Sequence, residues 1–149
     1  AAATAACATG KPVWVAWTLH DNKLGVLRSE ESLEDAYAAI EDLPVSGHLA
    51  NCCPPESIES AMPALAAMAG DYCGGYANTF MPIPEQWTLD GKGESDGFLA
   101  VRDDLDAGAY AELAARWLSG GANVLGGCCG TSPEYIALLR QLIDGAGPA

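Results

Sequence analysis

Apolar and polar positions alternate along this chain between two periods, two and three-to-four, and the alternation repeats four times. The β-branched and aromatic run at residues 13–19 (VWVAWTL) reads as a strand that ends in the polar group His20-Asp21-Asn22. From Ser29 onward Leu33, Ala36, Tyr37, Ile40 and Leu43 share one face at helical spacing. Glu30, Glu31, Glu34 and Asp35 load the first turns, where the helix dipole favours anions, and Pro44 is the expected stop. A second strand is predicted over residues 46–51, followed by Cys52-Cys53-Pro54-Pro55 and a helix carrying Ile58, Met62, Leu65 and Met68, which Pro63 should kink or restart. The third strand, residues 72–77, is weak by propensity because it contains two glycines, and it runs into Asn78-Thr79-Phe80.

Residues 81–104 form a long irregular stretch rich in Pro, Gly and charge, the mark of a functional loop or lid. Asp106 then caps a helix with Leu113, Ala114, Trp117 and Leu118 inward and Gly120 at its end. The fourth strand, residues 123–125, runs into Gly126-Gly127-Cys128-Cys129-Gly130, and the last helix opens at residues 131–134 with either Thr131 or Ser132 as its cap. Four βα units in succession demand a parallel sheet with helical crossovers. Neither a dinucleotide fingerprint nor a phosphate-binding loop follows any strand. What recurs instead is polar or thiol chemistry at the C-terminal ends of the strands, where a (β/α)8 barrel of the TIM type keeps its active site. A closed barrel needs eight strands, and this chain opens on an Ala-rich helical segment closed by Gly10. The expected architecture is therefore the last four βα units of such a barrel, with residues 1–149 as the C-terminal half of one domain.

Seven Lys and Arg against twenty Asp and Glu give a net charge of −13 and a pI near 4.2, which leaves no electrostatic grip on nucleic acid or on an anionic membrane surface. No apolar run is long enough to cross a bilayer, and no export signal is recognisable, so a cytoplasmic location is expected. In that compartment the six cysteines, at 7, 52, 53, 73, 128 and 129, are expected as free thiols. A parallel arrangement brings Cys52, at the end of the second strand, to the same rim as Cys128 and Cys129, at the end of the fourth. Gly126, Gly127 and Gly130 would let the backbone leave the extended conformation so that both sulfurs turn to one point. Three converging thiolates suit Zn2+ and leave a fourth tetrahedral position open for chemistry, and the N-terminus of the last helix would favour the anionic sulfurs. Inert buried thiols are the competing reading, and spacing alone does not separate the two. Cys7 and Cys73 fall in that inert class; Cys53 should face away from Cys52 and pack.

The segments His48-Leu49-Ala50-Asn51-Cys52-Cys53-Pro54, Gly74-Gly75-Tyr76-Ala77-Asn78-Thr79 and Gly126-Gly127-Cys128-Cys129-Gly130-Thr131 resemble the homocysteine S-methyltransferase family, and the likeness extends over nearly the whole chain. The resemblance implies a zinc-dependent barrel in which Cys52, Cys128 and Cys129 bind the metal. It also implies transfer of a methyl group from a sulfonium donor, S-methylmethionine or S-adenosylmethionine, to the thiol of homocysteine, giving methionine. Family variants with a selenol acceptor, or with betaine or methylfolate as donor, are alternatives, as is a metal-free half-barrel whose thiols serve packing or redox sensing. Thr18, Asp21, Asn51 and Asn78 are the candidate substrate contacts at the rim. His48 reads as a core histidine, Trp14, Trp17 and Trp117 as packing, and Trp87 as a loop anchor with a cation–π contact to a sulfonium as its alternative. The implied first strand of the family's barrel, with an Asp-Gly motif that helps bind homocysteine, is not in this sequence. The chain alone is expected to be weakly active or inactive, and to self-associate or pair with the missing half.

Overall fold

The computed structural model describes residues 1–68, 70–83 and 99–145. It is an α/β fold built on a four-stranded, wholly parallel sheet: β1 (Trp14–Trp17), β2 (Gly47–Asn51), β3 (Tyr72–Ala77) and β4 (Val124–Gly127), in spatial order β1-β2-β3-β4. The helices are α1 (Ala2–Cys7), α2 (Leu33–Ala38), α3 (Pro55–Ala67), α4 (Ala107–Ser119) and α5 (Pro133–Gly145). Register follows in rows across the sheet. Trp17, Ala50, Gly75 and Leu125 are successive partners, and one row nearer the strands' C-terminal ends Asn51, Tyr76 and Gly126 align.

The core lies on one face of the sheet. Ala50 and Ala77 meet Ile58, Met62 and Leu65 of α3 and Tyr110, Ala114 and Trp117 of α4 in one buried cluster. The indole N–H of Trp117 donates to the Pro55 carbonyl at 3.1 Å, tying α4 to the start of α3. Gly75 is a glycine because a Cβ there would fall 2.7 Å from the Ile58 side chain. His48 belongs to this face as well: it is buried, stacked on Trp17 and met edge-on by Tyr37. Strand alternation puts Trp14, Leu49, Tyr72 and Tyr76 on the opposite face. There Trp14 and Tyr72 lean together with ring centroids 4.9 Å apart, across Gly47, and remain 47% and 44% exposed. Trp14, expected to serve packing, thus packs on Tyr72 outside the core and projects from the face the described helices leave open.

Other expectations need correction. The helix expected from Ser29 begins at Leu33, because Ser32 Oγ accepts the Asp35 N–H at 3.0 Å and caps it there. Glu30 takes a left-handed conformation, φ 76°, within a loop stitched by the bridges Leu19–Leu27 and Val26–Ser32, so Glu30 and Glu31 precede the helix. The helix ends at Ala38, well before Pro44. Pro63 neither breaks nor restarts α3, which runs through it. Pro63 sits on the exposed face, where the Glu59 carbonyl it leaves without an intrahelical partner can be hydrated, while Ile58, Met62 and Leu65 hold the buried face. Residues 84–98, most of the long irregular stretch and including Trp87, lie outside the described residues.

Candidate metal centre

Hydrogen bonding continues one step past the strand ends and carries the cysteines with it. Cys52 N–H donates to the Tyr76 carbonyl at 3.0 Å, Cys128 N–H to the Ala77 carbonyl at 2.8 Å, and Thr79 N–H to the Cys129 carbonyl at 3.0 Å. At Cys52 the backbone turns left-handed, φ 48°, a conformation that costs a non-glycine residue about 1–3 kcal/mol and is characteristic of functional sites. The turn leaves Cys52 half-buried at the rim and sends Cys53 into the core, fully buried, where burial pushes its thiol up to about 12.

The sulfurs of Cys52, Cys128 and Cys129 all lie within 4.8 Å of one another, with Cys52–Cys129 and Cys128–Cys129 both at 3.8 Å. Among the described residues this is the one grouping of side chains able to hold a metal ion. Tetrahedral coordination with Zn–S bonds of about 2.3 Å requires ligand sulfurs about 3.8 Å apart. The donor set, three soft thiols with one tetrahedral position left over, fits zinc. Without a cation the Cys128 thiol resists ionisation. Burial, then the Cys52 sulfur, pushes the Cys128 thiol up to about 12, against the opposing pull of the Cys129 backbone. A divalent cation is what would make the cluster anionic.

The glycines act differently from expectation. Gly126 and Gly127 remain within β4 and are required for close packing: a Cβ at Gly127 would fall 2.5 Å from Thr131 Oγ1, and one at Gly126 3.1 Å from the Tyr76 Cβ. Only Gly130, φ 80°, turns the chain through a left-handed conformation, and a Cβ there would run into Thr79 Oγ1. Thr131 Oγ1 donates to the Cys128 carbonyl at 2.7 Å, bracing the pair from the other side.

The polar rim candidates separate by what they touch. Thr18 Oγ1 donates to Asn51 Oδ1 at 3.1 Å, on the same face as Tyr76. Asn78 is buried and its Oδ1 accepts the Phe80 N–H at 3.0 Å. Asp21 accepts from Arg28 and from the Ile83 N–H, both at 2.7 Å. Tyr76 was not among the residues singled out from the sequence, yet its phenol is pushed up by burial and then by the sulfurs of Cys128 and Cys52. The available signal was its place two residues before Asn78 on a strand of period two. Beside the rim, on the α3 side, lies a cleft of about 390 Å³ lined by Asp21, Pro54, Glu56, Ser57, Met81 and Arg102 among others. Arg102 is committed there to ion pairs with Glu56 and Asp104, both at 2.8 Å. Cys73, read as inert, donates to the Gly121 carbonyl at 3.1 Å.

Comparison with known proteins follows the same line. Residues 1–143 match the model of the homocysteine S-methyltransferase family. Homocysteine S-methyltransferase 1 of Zea mays is 31% identical over 137 residues, 90% of this chain and 38% of that protein. Selenocysteine methyltransferase of Astragalus bisulcatus is 29% identical over 143 residues, 92% of this chain and 38% of its own length. Among solved structures, the homocysteine methyltransferase MmuM of Escherichia coli in its oxidised form superposes with a TM-score of 0.66 at 24% identity, covering 94% of this chain and 39% of that one, which shows a shared fold. The chain thus spans well under half the length of these relatives. A family match over almost every residue, on a fold that gathers three thiols at one rim, places this chain in the homocysteine S-methyltransferase family.

Proposed function

We propose that this chain is the C-terminal half of a homocysteine-binding (β/α)8 barrel, and that the whole protein is a zinc-dependent methyltransferase. Its reaction moves a methyl group from a sulfonium donor, S-methylmethionine or S-adenosylmethionine, to the thiol of homocysteine and yields methionine. The observation that carries the reading is the gathering of the Cys52, Cys128 and Cys129 sulfurs within 4.8 Å of one another, Cys129 standing 3.8 Å from each of the other two, about the edge length of a tetrahedral zinc site. Zinc, when bound, supplies the positive charge that keeps thiols deprotonated at neutral pH and an open position suited to an acceptor sulfur. The acceptor thiolate then attacks the methyl carbon in line; the new S–C bond forms as the donor S–C bond breaks, and the electron pair stays on the departing sulfur. A thiolate and a sulfonium become two neutral thioethers, a loss of charge separation that a water-poor site favours.

This chain's residues supply the thiolate cluster and one wall of the pocket. Thr18 and Asn51, paired on the Tyr76 face, are assigned to orienting the amino-acid end of the acceptor. Asn78 spends its carbonyl oxygen on its own turn and contributes through that turn. The remaining contacts to homocysteine come from the first half, with which this chain pairs to close the sheet; alone it has little or no activity. The plant selenocysteine methyltransferase among the relatives supports a selenol acceptor as the second reading, since the same cluster serves either chalcogen. Zinc analysis of protein purified under reducing conditions tests the proposal. About one zinc per chain, lost in Cys128→Ser, is the expected result; a folded preparation with far less than one zinc per chain overturns it in favour of packing or redox thiols.

A further inference from the structure

In the segment after β1 stands a carboxylate with both oxygens committed to protein donors. The Asp21 side chain is only 6% exposed; Oδ1 accepts from Arg28 Nη2 and Oδ2 accepts the Ile83 N–H, both at 2.7 Å. The same Arg28 Nη2 stands 3.5 Å from the Cys52 carbonyl oxygen, an electrostatic contact at the long limit of a hydrogen bond, while the Arg28 backbone N–H donates to the Thr18 carbonyl at 3.0 Å. One ion pair, buried on its Asp21 side and half-exposed at Arg28, thereby joins the segments that follow β1, β2 and β3. The residue it reaches, Cys52, is the one cysteine of the cluster with a left-handed backbone, and such a conformation persists only where its surroundings over-determine it. Its N–H is fixed by the Tyr76 carbonyl; its carbonyl faces Arg28.

We infer that Asp21 and Arg28 form a strut that holds the backbone of Cys52, and so sets where its sulfur stands relative to those of Cys128 and Cys129. Both act here as positioning residues: Asp21 orients Arg28, and Arg28 holds the Cys52 peptide. The inference rests on the three-thiolate reading above. Outer contacts that orient metal ligands typically change metal affinity by about 10–100-fold when removed.

The test uses the full natural polypeptide carrying this sequence, reduced and metal-free, with Co2+ as the probe in competition with a chelator. The parent protein should bind one Co2+ with thiolate charge-transfer absorption; its failure to do so overturns the three-thiolate reading itself, independently of any variant. Given parent binding, Asp21→Asn and Arg28→Gln should each weaken Co2+ binding by about 10-fold or more and shift the visible ligand-field bands, which report the geometry of the sulfurs. The double variant should lose no more than the weaker-binding single one, and Arg28→Lys, which keeps a cation for Asp21, should recover part of the loss. Single variants within about twofold of the parent overturn the strut. So do losses that multiply in the double variant, or weaker binding with unmoved ligand-field bands. Arg28 is 40% exposed, so Arg28→Gln keeps the test open if the Asp21 variant does not fold.

Discussion

Cys52 shows how much of the site is decided by single residues. Its left-handed turn separates two adjacent cysteines into different environments, one sulfur at the rim and the other sealed in the core with its thiol pushed up to about 12. Gly130 does the matching work after the fourth strand, and its hydrogen side chain is required twice over, by φ 80° and by Thr79 packed against it. Gly130→Ala should destabilise the fold by about 2 kcal/mol or more, since the left-handed strain and the displacement of a buried Thr add. Urea denaturation reads that loss directly. Zinc retention should fall along with it, because Cys129 directly precedes the strained residue. At this scale the sequence was most legible for the thiols, whose rim positions follow from strand order alone. It was less so for Gly126 and Gly127, which look like hinges but are spacers demanded by Thr131 and Tyr76, partners visible only in three dimensions. Tyr76 was hidden by being one more aromatic on a strand.

Among the elements, those whose ends carry a local signal match the reading of the chain, and those set by tertiary contacts do not. Asp106 Oδ1 accepts the Ala109 N–H at 2.8 Å and starts α4 where expected. Asp106→Ala should therefore lower stability by about 1 kcal/mol, seen as a lower urea midpoint at constant slope. A change of slope would instead mean that the denatured or native ensemble had been altered. By contrast the six residues of α2 form only part of a pattern with helical spacing from residue 29 to 43, since the segment before it is diverted to pair with the end of β1. α3 survives Pro63 because its other face is anchored by Ile58, Met62 and Leu65, an energy no local propensity contains.

The parallel order β1-β2-β3-β4 was readable from the βα repeat, but which sheet face the described helices leave open was not. That face bears Trp14 and Tyr72, and in the proposed whole barrel it becomes the interior. The covered face is held to the helices through a buried tyrosine. Tyr110 receives the Ala77 N–H at 2.9 Å and donates to the Gly126 carbonyl at 2.8 Å, pinning α4 across β3 and β4 just below the thiols. Its ring meets Trp117 and Tyr135 edge-on. Burial holds its phenol well above the ordinary tyrosine range, the Ala77 backbone pulling the other way. The sign follows from linkage: the folded protein keeps this proton at pH values where the unfolded chain has already lost it. The stabilising contribution is complete below about pH 10 and declines above it, by up to about 1.4 kcal/mol per pH unit. Tyr110→Phe should cost about 1–3 kcal/mol at pH 8, where the Gly126 carbonyl loses its donor. Unfolding free energies of the parent and the variant, measured in urea under reducing conditions, should differ by a constant amount up to about pH 10 and converge above it. Because every other ionisation is common to both proteins, curves that stay parallel to pH 11 would show that Tyr110 does not couple proton loss to the unfastening of α4 from the sheet.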